Sequence, residues 1–117
     1  MSEKQLTADE ILDVYDLEVK EVFVPEWKGS VHLRVLPADE GLALSATMNA
    51  LPKEKTHEAL FLLLGATLVD ASGKKLFTSD EQLTRLRTRS QKVLLRLQDE
   101  AMVLQGWKIS AAAGKGA

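Results

Sequence analysis

The sequence contains no cysteine and only two histidines among its 117 residues. The absence of cysteine excludes disulfide bonds, thiolate nucleophiles and thiolate metal sites. His32 and His57 stand alone, because neither has a second ligand at the spacing that metal sites use. The net charge of −2 gives no electrostatic reason to expect a nucleic-acid or membrane partner.

Catalytic signatures are also missing. There is neither a Gly-x-Ser-x-Gly elbow nor a Gly-x-Gly-x-x-Gly loop, and Gly114-Lys115 lacks the spacing and the hydroxyl of a P-loop. Asp70–Gly73 holds one carboxylate, which is too few for a calcium loop. The carboxylates of Asp80-Glu81 and Asp99-Glu100 are adjacent in sequence, so they point to different faces of a helix. We therefore predict a protein that is not an enzyme and that uses no cofactor or metal.

No apolar run approaches the ~20 residues of a membrane-spanning helix. Met1–Gln5 lacks the apolar centre of a signal peptide, so we expect a soluble intracellular protein. The length suits one domain, and the sequence shows no internal repeat. We assign 1–107 to this single domain and 108–117 to a flexible C-terminal tail of small residues.

The most apolar stretch is Ala59–Val69, in which only Thr67 has a polar side chain. A helix over this stretch would be apolar on every face, so we predict a central helix over Thr56–Val69 that is buried on all sides. Leucine and alanine favour a helix over a buried strand of the same length. The helix is expected to end in a turn at Asp70–Lys75.

Two segments with apolar alternation, 18–24 and 30–36, precede this helix. The turn signal Lys28-Gly29 lies between them, so we predict an antiparallel β-hairpin. Pro25 cannot donate to a sheet ladder, and it places the first strand at an edge or ends it.

Capping signals and 3.6-residue periodicity predict the remaining helices. They follow Thr7, Pro37 and Ser79, and a C-terminal helix runs through Val93–Leu104 to a cap at Gly106. The predicted fold class is α+β: an N-terminal antiparallel β-hairpin packed on a small helical domain of three to four helices. The side chains expected to be mostly buried are Val31, Leu33, Val35, Leu60, Leu63, Leu64, Leu68, Phe77, Leu83, Leu86, Leu94 and Leu97.

Four basic residues, Arg85, Arg89, Lys92 and Arg96, are spaced 4, 3 and 4 apart. If one helix runs through Thr88–Ser90, all four share one face. This face is either ordinary solvated surface or a docking surface for an acidic partner.

Charge is divided unevenly along the chain. Residues 1–40 hold ten acidic and four basic residues, whereas residues 41–117 hold seven acidic and eleven basic residues. Such asymmetry serves either contact between the two halves of one chain or contact between copies.

Trp27 lies at the hairpin turn. It either anchors an interface or covers the open end of the core.

The order of segments along the chain resembles that of the tail assembly chaperones of long-tailed bacteriophages. Val22–Val31 contains Val-Pro-Glu-Trp-Lys-Gly and is followed by Leu33–Leu36, by an apolar helix and by Leu68–Thr78. In that family a strand ending Val-Pro-Glu-Trp-Gly-Gly precedes a Val-x-Val-Arg strand and a segment similar to Leu-Val-Asp-x-x-Gly-x-x-Leu-Phe-Thr. The resemblance covers roughly residues 5 to 107. It departs at Lys28, where the family commonly has glycine, and over 37–58, where no family pattern is visible.

The resemblance implies a non-enzymatic chaperone that binds and solubilises the tape measure protein and helps recruit the tail tube protein. It also implies action in the host-cell cytoplasm and absence from the mature virion. The acidic and basic halves of the chain are consistent with self-association of copies along that client. Family members are often extended by ribosomal frameshifting, and Gly114-Lys115 can be encoded by the runs of G and A on which ribosomes slip. The alternative function is a small phage or bacterial adaptor or regulatory protein that binds one folded partner.

Overall fold

The computed structural model describes residues 5–108 of the chain. This part contains five α-helices and one three-stranded sheet of strand order β1-β2-β3. Both strand pairs are antiparallel, which confirms the predicted α+β class. In chain order the elements are α1 (Ala8–Asp13), β1 (Val19–Val24), β2 (Gly29–Arg34), α2 (Ala38–Asn49), α3 (Glu58–Thr67), β3 (Leu68–Val69), α4 (Asp80–Leu86) and α5 (Gln91–Leu104).

The predicted hairpin is formed by β1 and β2, which pair from Val19 opposite Arg34 to Val24 opposite Gly29. Within the described residues β1 pairs with β2 alone, so it is an edge strand, as Pro25 indicated. Val24 and Leu33 lie on the face that is buried against the helices.

The predicted central helix is shorter than expected and is not buried on all sides. It ends at Thr67, and Leu68 and Val69 turn into an extended conformation and pair with Leu33 and His32 of β2. A short buried apolar run suits either a helix or a strand, so periodicity alone could not locate this transition. The buried Thr67 hydroxyl donates to the Leu63 carbonyl (2.8 Å), which satisfies the one polar side chain of the run.

The core lies where α3 and α5 pack together against the sheet. Of the twelve side chains predicted to be mostly buried, seven are fully buried and Val31, Val35, Leu60, Phe77 and Leu83 are partly buried. The fully buried ones are Leu33, Leu63, Leu64, Leu68, Leu86, Leu94 and Leu97.

Residues predicted to mark helix ends form local hydrogen bonds at three of these ends. Thr7 and Glu10 form a complete capping box at α1. The Ser79 hydroxyl accepts from the Gln82 N–H at the start of α4. Gly106, with a φ of 79°, ends α5, and the Trp107 N–H donates to the Met102 carbonyl (2.9 Å) in a Schellman arrangement.

Candidate protein-binding surface at the hairpin tip

The hairpin tip is a 3-10 turn over Pro25–Trp27 followed by Lys28. Proline at the first position of the turn presets φ and has no N–H to leave unpaired. Lys28 has a φ of 56°, and its N–H donates to the Pro25 carbonyl (3.1 Å). Lysine therefore holds here a left-handed conformation for which glycine is the usual residue.

Trp27 lies at the hairpin tip, between the core and the protein surface. It is partly buried and packs against the core cluster, yet part of its surface remains accessible. The accessible part lines an open groove of about 520 Å³, which we call the hairpin-tip groove. The residues that line it are Trp27, Phe77, Gln82, Arg85, Leu86, Thr88 and Arg89.

The hairpin tip is joined to α5 by an ion pair between Glu26 and Arg96. Arg96 donates two hydrogen bonds to the Glu26 carboxylate, at 2.7 and 3.0 Å. These bonds, chiefly, lower the pKa of Glu26 to about 2, and the charge of Lys92 lowers it further. The pair raises the pKa of Arg96 in turn. Both side chains are 38% exposed, so solvent screens the attraction.

The four cations do not share one helix face, because the helix does not continue through Thr88–Ser90. α4 ends at Leu86 and α5 begins at Gln91, with a tight turn between them. The Thr88 hydroxyl donates to the Arg85 carbonyl (2.7 Å), and the Ser90 hydroxyl accepts from the N–H of Val93. Both residues thus bond to the backbone locally, as serine and threonine do at helix ends, and the helix is interrupted.

The turn nevertheless gathers the predicted residues around one place. Arg85 and Arg89 line the hairpin-tip groove beside Trp27. Arg96 binds Glu26, the neighbour of Trp27, and Lys92 interacts electrostatically with the same carboxylate. Across residues 5–108, Arg96 is the one of these four cations with an ion pair. The groove is therefore apolar at Trp27, Phe77 and Leu86 and positively charged at its arginines.

A second groove, of about 540 Å³, lies between α3 and α4. Its apolar lining comes from Phe61, Leu62, Phe77 and Leu83, and we call it the α3–α4 groove. A β-carbon on Gly65 would approach Leu83 Cδ2 to 3.1 Å, so glycine allows α3 and α4 to approach closely. Phe77 lines both grooves.

Arg87 borders the α3–α4 groove, and the sequence interpretation overlooked it. It donates to both Glu58 oxygens (2.6 and 2.7 Å) and lies 4.2 Å from the Phe61 ring centroid. The ion pair lowers the pKa of Glu58 and raises that of Arg87. Only the cations at helical spacing were selected from the sequence, and Arg87 lies outside that spacing.

The N-terminal arm, residues 5–18, is the third surface feature. Its helix α1 has no buried residue, although the segment is rich in large apolar side chains. Leu12 is 79% exposed and Tyr15 is 81% exposed. Leu6, Ile11 and Val14 are also about half exposed. The arm carries five acidic residues and no basic residue.

Within residues 5–108, no group of three or more histidine, aspartate and glutamate side chains is arranged to hold a metal ion. None of the helices in this range is both long and apolar enough to cross a bilayer. The candidate residues Gly114 and Lys115 lie outside the described part of the chain.

Comparison with known proteins identifies a similar solved structure. No protein-family model matches the sequence, and no curated protein matches it. The fold is similar to that of the tail assembly chaperone of bacteriophage HK97, with a TM-score of 0.53 and 28% sequence identity. The match covers 75% of this chain and 85% of the phage protein. The chain therefore has a fold like that of a phage tail assembly chaperone.

Proposed function

We propose that this protein is a non-enzymatic tail assembly chaperone of a long-tailed phage. The observation that carries the proposal is the similarity to the HK97 chaperone, 28% identical over 75% of the chain. In this proposal the protein binds the tape measure protein, keeps it soluble and helps recruit the tail tube protein around it. It acts in the host-cell cytoplasm and is absent from the mature virion.

The α3–α4 groove is the proposed contact for the client. A long helical protein presents an apolar stripe, and such a stripe binds into a groove with an apolar floor. Phe61, Leu62 and Leu83 supply this floor. Glu58 and Arg87 form an ion pair at its border, where a polar rim would meet the charged flanks of a client helix.

Co-expression tests the proposal. In this proposal a long, coil-rich reading frame lies beside the gene, and its product is expressed with and without this protein. We expect the long protein to be insoluble alone and to become soluble in the complex. If the long protein stays insoluble at every ratio of the two chains, the chaperone function is rejected.

A single substitution tests whether the client binds in the α3–α4 groove. Leu62→Asp puts a charge on the floor of the α3–α4 groove, and it should abolish solubilisation. Leu42→Asp is the matched control, since Leu42 is 72% exposed on α2 and lines neither groove. Thermal melting of both variants shows whether the fold survives.

Stoichiometry separates this function from that of an adaptor. Many copies of a small chaperone would cover one long client, whereas an adaptor would bind one folded partner in a fixed ratio. The mass of the soluble complex, measured by light scattering during gel filtration, gives this ratio. A one-to-one complex with a compact partner would favour the adaptor.

A further inference from the structure

Two contacts hold Arg87 in place at the border of the α3–α4 groove. Its guanidinium donates to both oxygens of Glu58 at 2.6 and 2.7 Å, and its Cζ atom lies 4.2 Å from the centroid of the Phe61 ring. A planar guanidinium suits both a bidentate carboxylate and the face of an aromatic ring. Because the side chain is already ordered, binding a further group would cost little additional side-chain entropy.

Arg87 retains hydrogen-bonding capacity beyond these contacts. A guanidinium carries more N–H donors than one carboxylate uses. Arg87 donates two hydrogen bonds to Glu58, and within residues 5–108 its other N–H groups have no acceptor. The side chain is 39% exposed, so a second carboxylate can approach it from the groove.

The charges near Glu58 favour a carboxylate from a partner. Lys55 and His57 also interact electrostatically with Glu58, and the His57 Nε2 lies 3.1 Å from its Oε2 atom. Lys55 and Arg87 alone outnumber the one acid of this group, and complementary potentials favour an added negative charge. Asp80 lines the groove near the start of α4, so a polyanion that follows the whole groove would meet like charge there.

The polar and apolar contacts are spaced to suit a single helix. Phe61, Leu62 and Leu83 form the apolar floor, and Arg87 lies against the Phe61 ring. Side chains three or four positions apart on a helix lie ~5–6 Å from each other. A helix whose apolar stripe contacts the floor can therefore place a neighbouring carboxylate at Arg87.

We propose that Arg87 is a specificity-determining residue of the α3–α4 groove, and that it binds a carboxylate beside the apolar stripe of the client helix. The inference rests on the proposed function, which supplies a helical client for this groove. It adds a selectivity that an apolar floor alone does not give. A client stripe with an acidic flank binds more tightly than one with a neutral or basic flank.

Two synthetic peptides and the purified full chain test this selectivity. Each peptide is an alanine-based helix of about 20 residues, which is long enough to form in water, with one stripe of leucines and lysines on the opposite face. One peptide has glutamate at the positions that flank the stripe, and the other has glutamine. The wild-type protein should bind the glutamate peptide about tenfold more tightly, because hydrogen bonds to a charged group are stronger than those to a neutral one.

The variant Arg87→Gln turns this comparison into a double-mutant cycle. It should raise the dissociation constant of the glutamate peptide about tenfold and change that of the glutamine peptide by less than about twofold. A merely structural role of Arg87 would weaken the binding of both peptides equally. Lys108→Gln is the matched control, because Lys108 is also in an ion pair, with Asp99, but lines neither groove. It should leave both dissociation constants unchanged.

The variant Leu62→Asp shows where the peptides bind. It puts a charge on the groove floor and should abolish the binding of both peptides, while thermal melting checks that the variant is folded. The comparison of the two peptides on wild-type protein needs no variant, so it stands even where a variant fails to fold.

Four results would overturn the proposal. They are equal affinity of the wild type for the two peptides, equal losses for both peptides in Arg87→Gln, binding that survives Leu62→Asp, and no binding of either peptide.

Solubilisation of the long client is measured separately, so the two proposals fail distinguishably. A protein that solubilises the client but shows no preference for the glutamate peptide would keep the chaperone function and lose only the role of Arg87. A client that stays insoluble while the peptide preference holds would reject the chaperone function alone.

Discussion

Arg96 of the terminal helix α5 binds Glu26 of the hairpin tip through two hydrogen bonds, although 70 residues separate them in sequence. The guanidinium meets the carboxylate in a bidentate arrangement, which adds geometric specificity to the charge attraction. Glu26 directly precedes Trp27, so the pair connects the orientation of the tip to α5. Arg96, which does not line the groove, therefore supports the position of Trp27, which does.

The Glu26–Arg96 pair should make the unfolding free energy depend on pH in acidic solution. The pKa of Glu26 is lowered from 4.5 to about 2 in the folded protein, chiefly by the hydrogen bonds from Arg96. A lowered carboxylate pKa stabilises the fold fully above the unfolded value, and this contribution is lost as the pH falls through the folded value. We expect the difference in unfolding free energy between wild type and Glu26→Gln to be constant near neutral pH and to shrink between pH 4.5 and about 2.

Urea unfolding at a series of pH values measures this difference. Glu54→Gln is the matched control, because Glu54 is exposed in the 3-10 turn Lys53–Lys55 and has no ion pair in the described part of the chain. If the difference in unfolding free energy between wild type and Glu26→Gln stays constant down to pH 2, the Glu26–Arg96 pair does not stabilise the fold as described.

Truncating the centre of α3 should be strongly destabilising. Leu64 is fully buried where α3 meets α5, so Leu64→Ala removes buried methyl groups and leaves a cavity. We expect a loss of about 2–5 kcal/mol in unfolding free energy, measured by urea denaturation. Leu42→Ala, on the exposed part of α2, should change the free energy by less than about 0.5 kcal/mol. Equal effects of the two substitutions would contradict the central position of α3.

Local signals predicted the elements of this fold well. The hairpin followed from alternation around Lys28-Gly29, and the capping box at Thr7 and the stop at Gly106 depend on a few neighbouring residues. The change from α3 to β3 could not be predicted, because Leu68 and Val69 become a strand only through pairing with β2. That pairing joins residues more than thirty positions apart.

The residues selected from the sequence lie near one another, but not in the arrangement that their spacing indicated. Spacing selected Arg85 and Arg89 as members of one helical face, whereas the structure places them in a groove formed with Trp27 and Phe77. Thr88 and Ser90, which end one helix and begin the next, carried the signal that the face is interrupted. Arg87 was missed because its partners, Glu58 and Phe61, lie on another helix and have no periodic relation to it.

Trp27→Ala should weaken association more than it lowers the melting temperature. The indole is partly buried, so part of its surface is available to a partner and the rest contributes to the core. An aromatic anchor of this kind is worth about 2 kcal/mol or more to an interface. Sedimentation measures association, and Trp27→Phe is the control that keeps an aromatic ring in the groove. Unchanged association with a large loss of unfolding free energy would assign Trp27 to the core alone.

Self-association should weaken as salt is added. Arg85, Arg89 and Lys92, which have no ion-pair partner within residues 5–108, lie at the surface, where single pairs contribute ~0–1 kcal/mol and act only in combination. At physiological ionic strength, screening limits their field to ~8 Å. Arg89→Glu/Lys92→Glu should therefore associate weakly and respond little to salt, whereas Lys53→Glu/Lys55→Glu should follow the wild type. Wild-type association that is indifferent to salt would reject the electrostatic contribution.

The codons for Gly114-Lys115 are the expected position of a ribosomal frameshift site. Residues 108–117 include four alanines and two glycines, and Ile109 is their one large aliphatic residue, so apolar packing places little constraint on the codons. Gly114-Lys115 can be written as a run of G followed by a run of A, and the resemblance to tail assembly chaperones implies a frameshift site near this position. We expect a slippery heptamer over the codons of Ala113 to Gly116, an overlapping open frame, and a minor longer product on a gel. Synonymous recoding of the heptamer should remove the longer product and leave the 117-residue protein unchanged. A nucleotide sequence with no slippery heptamer or no overlapping frame would show that the site is not here.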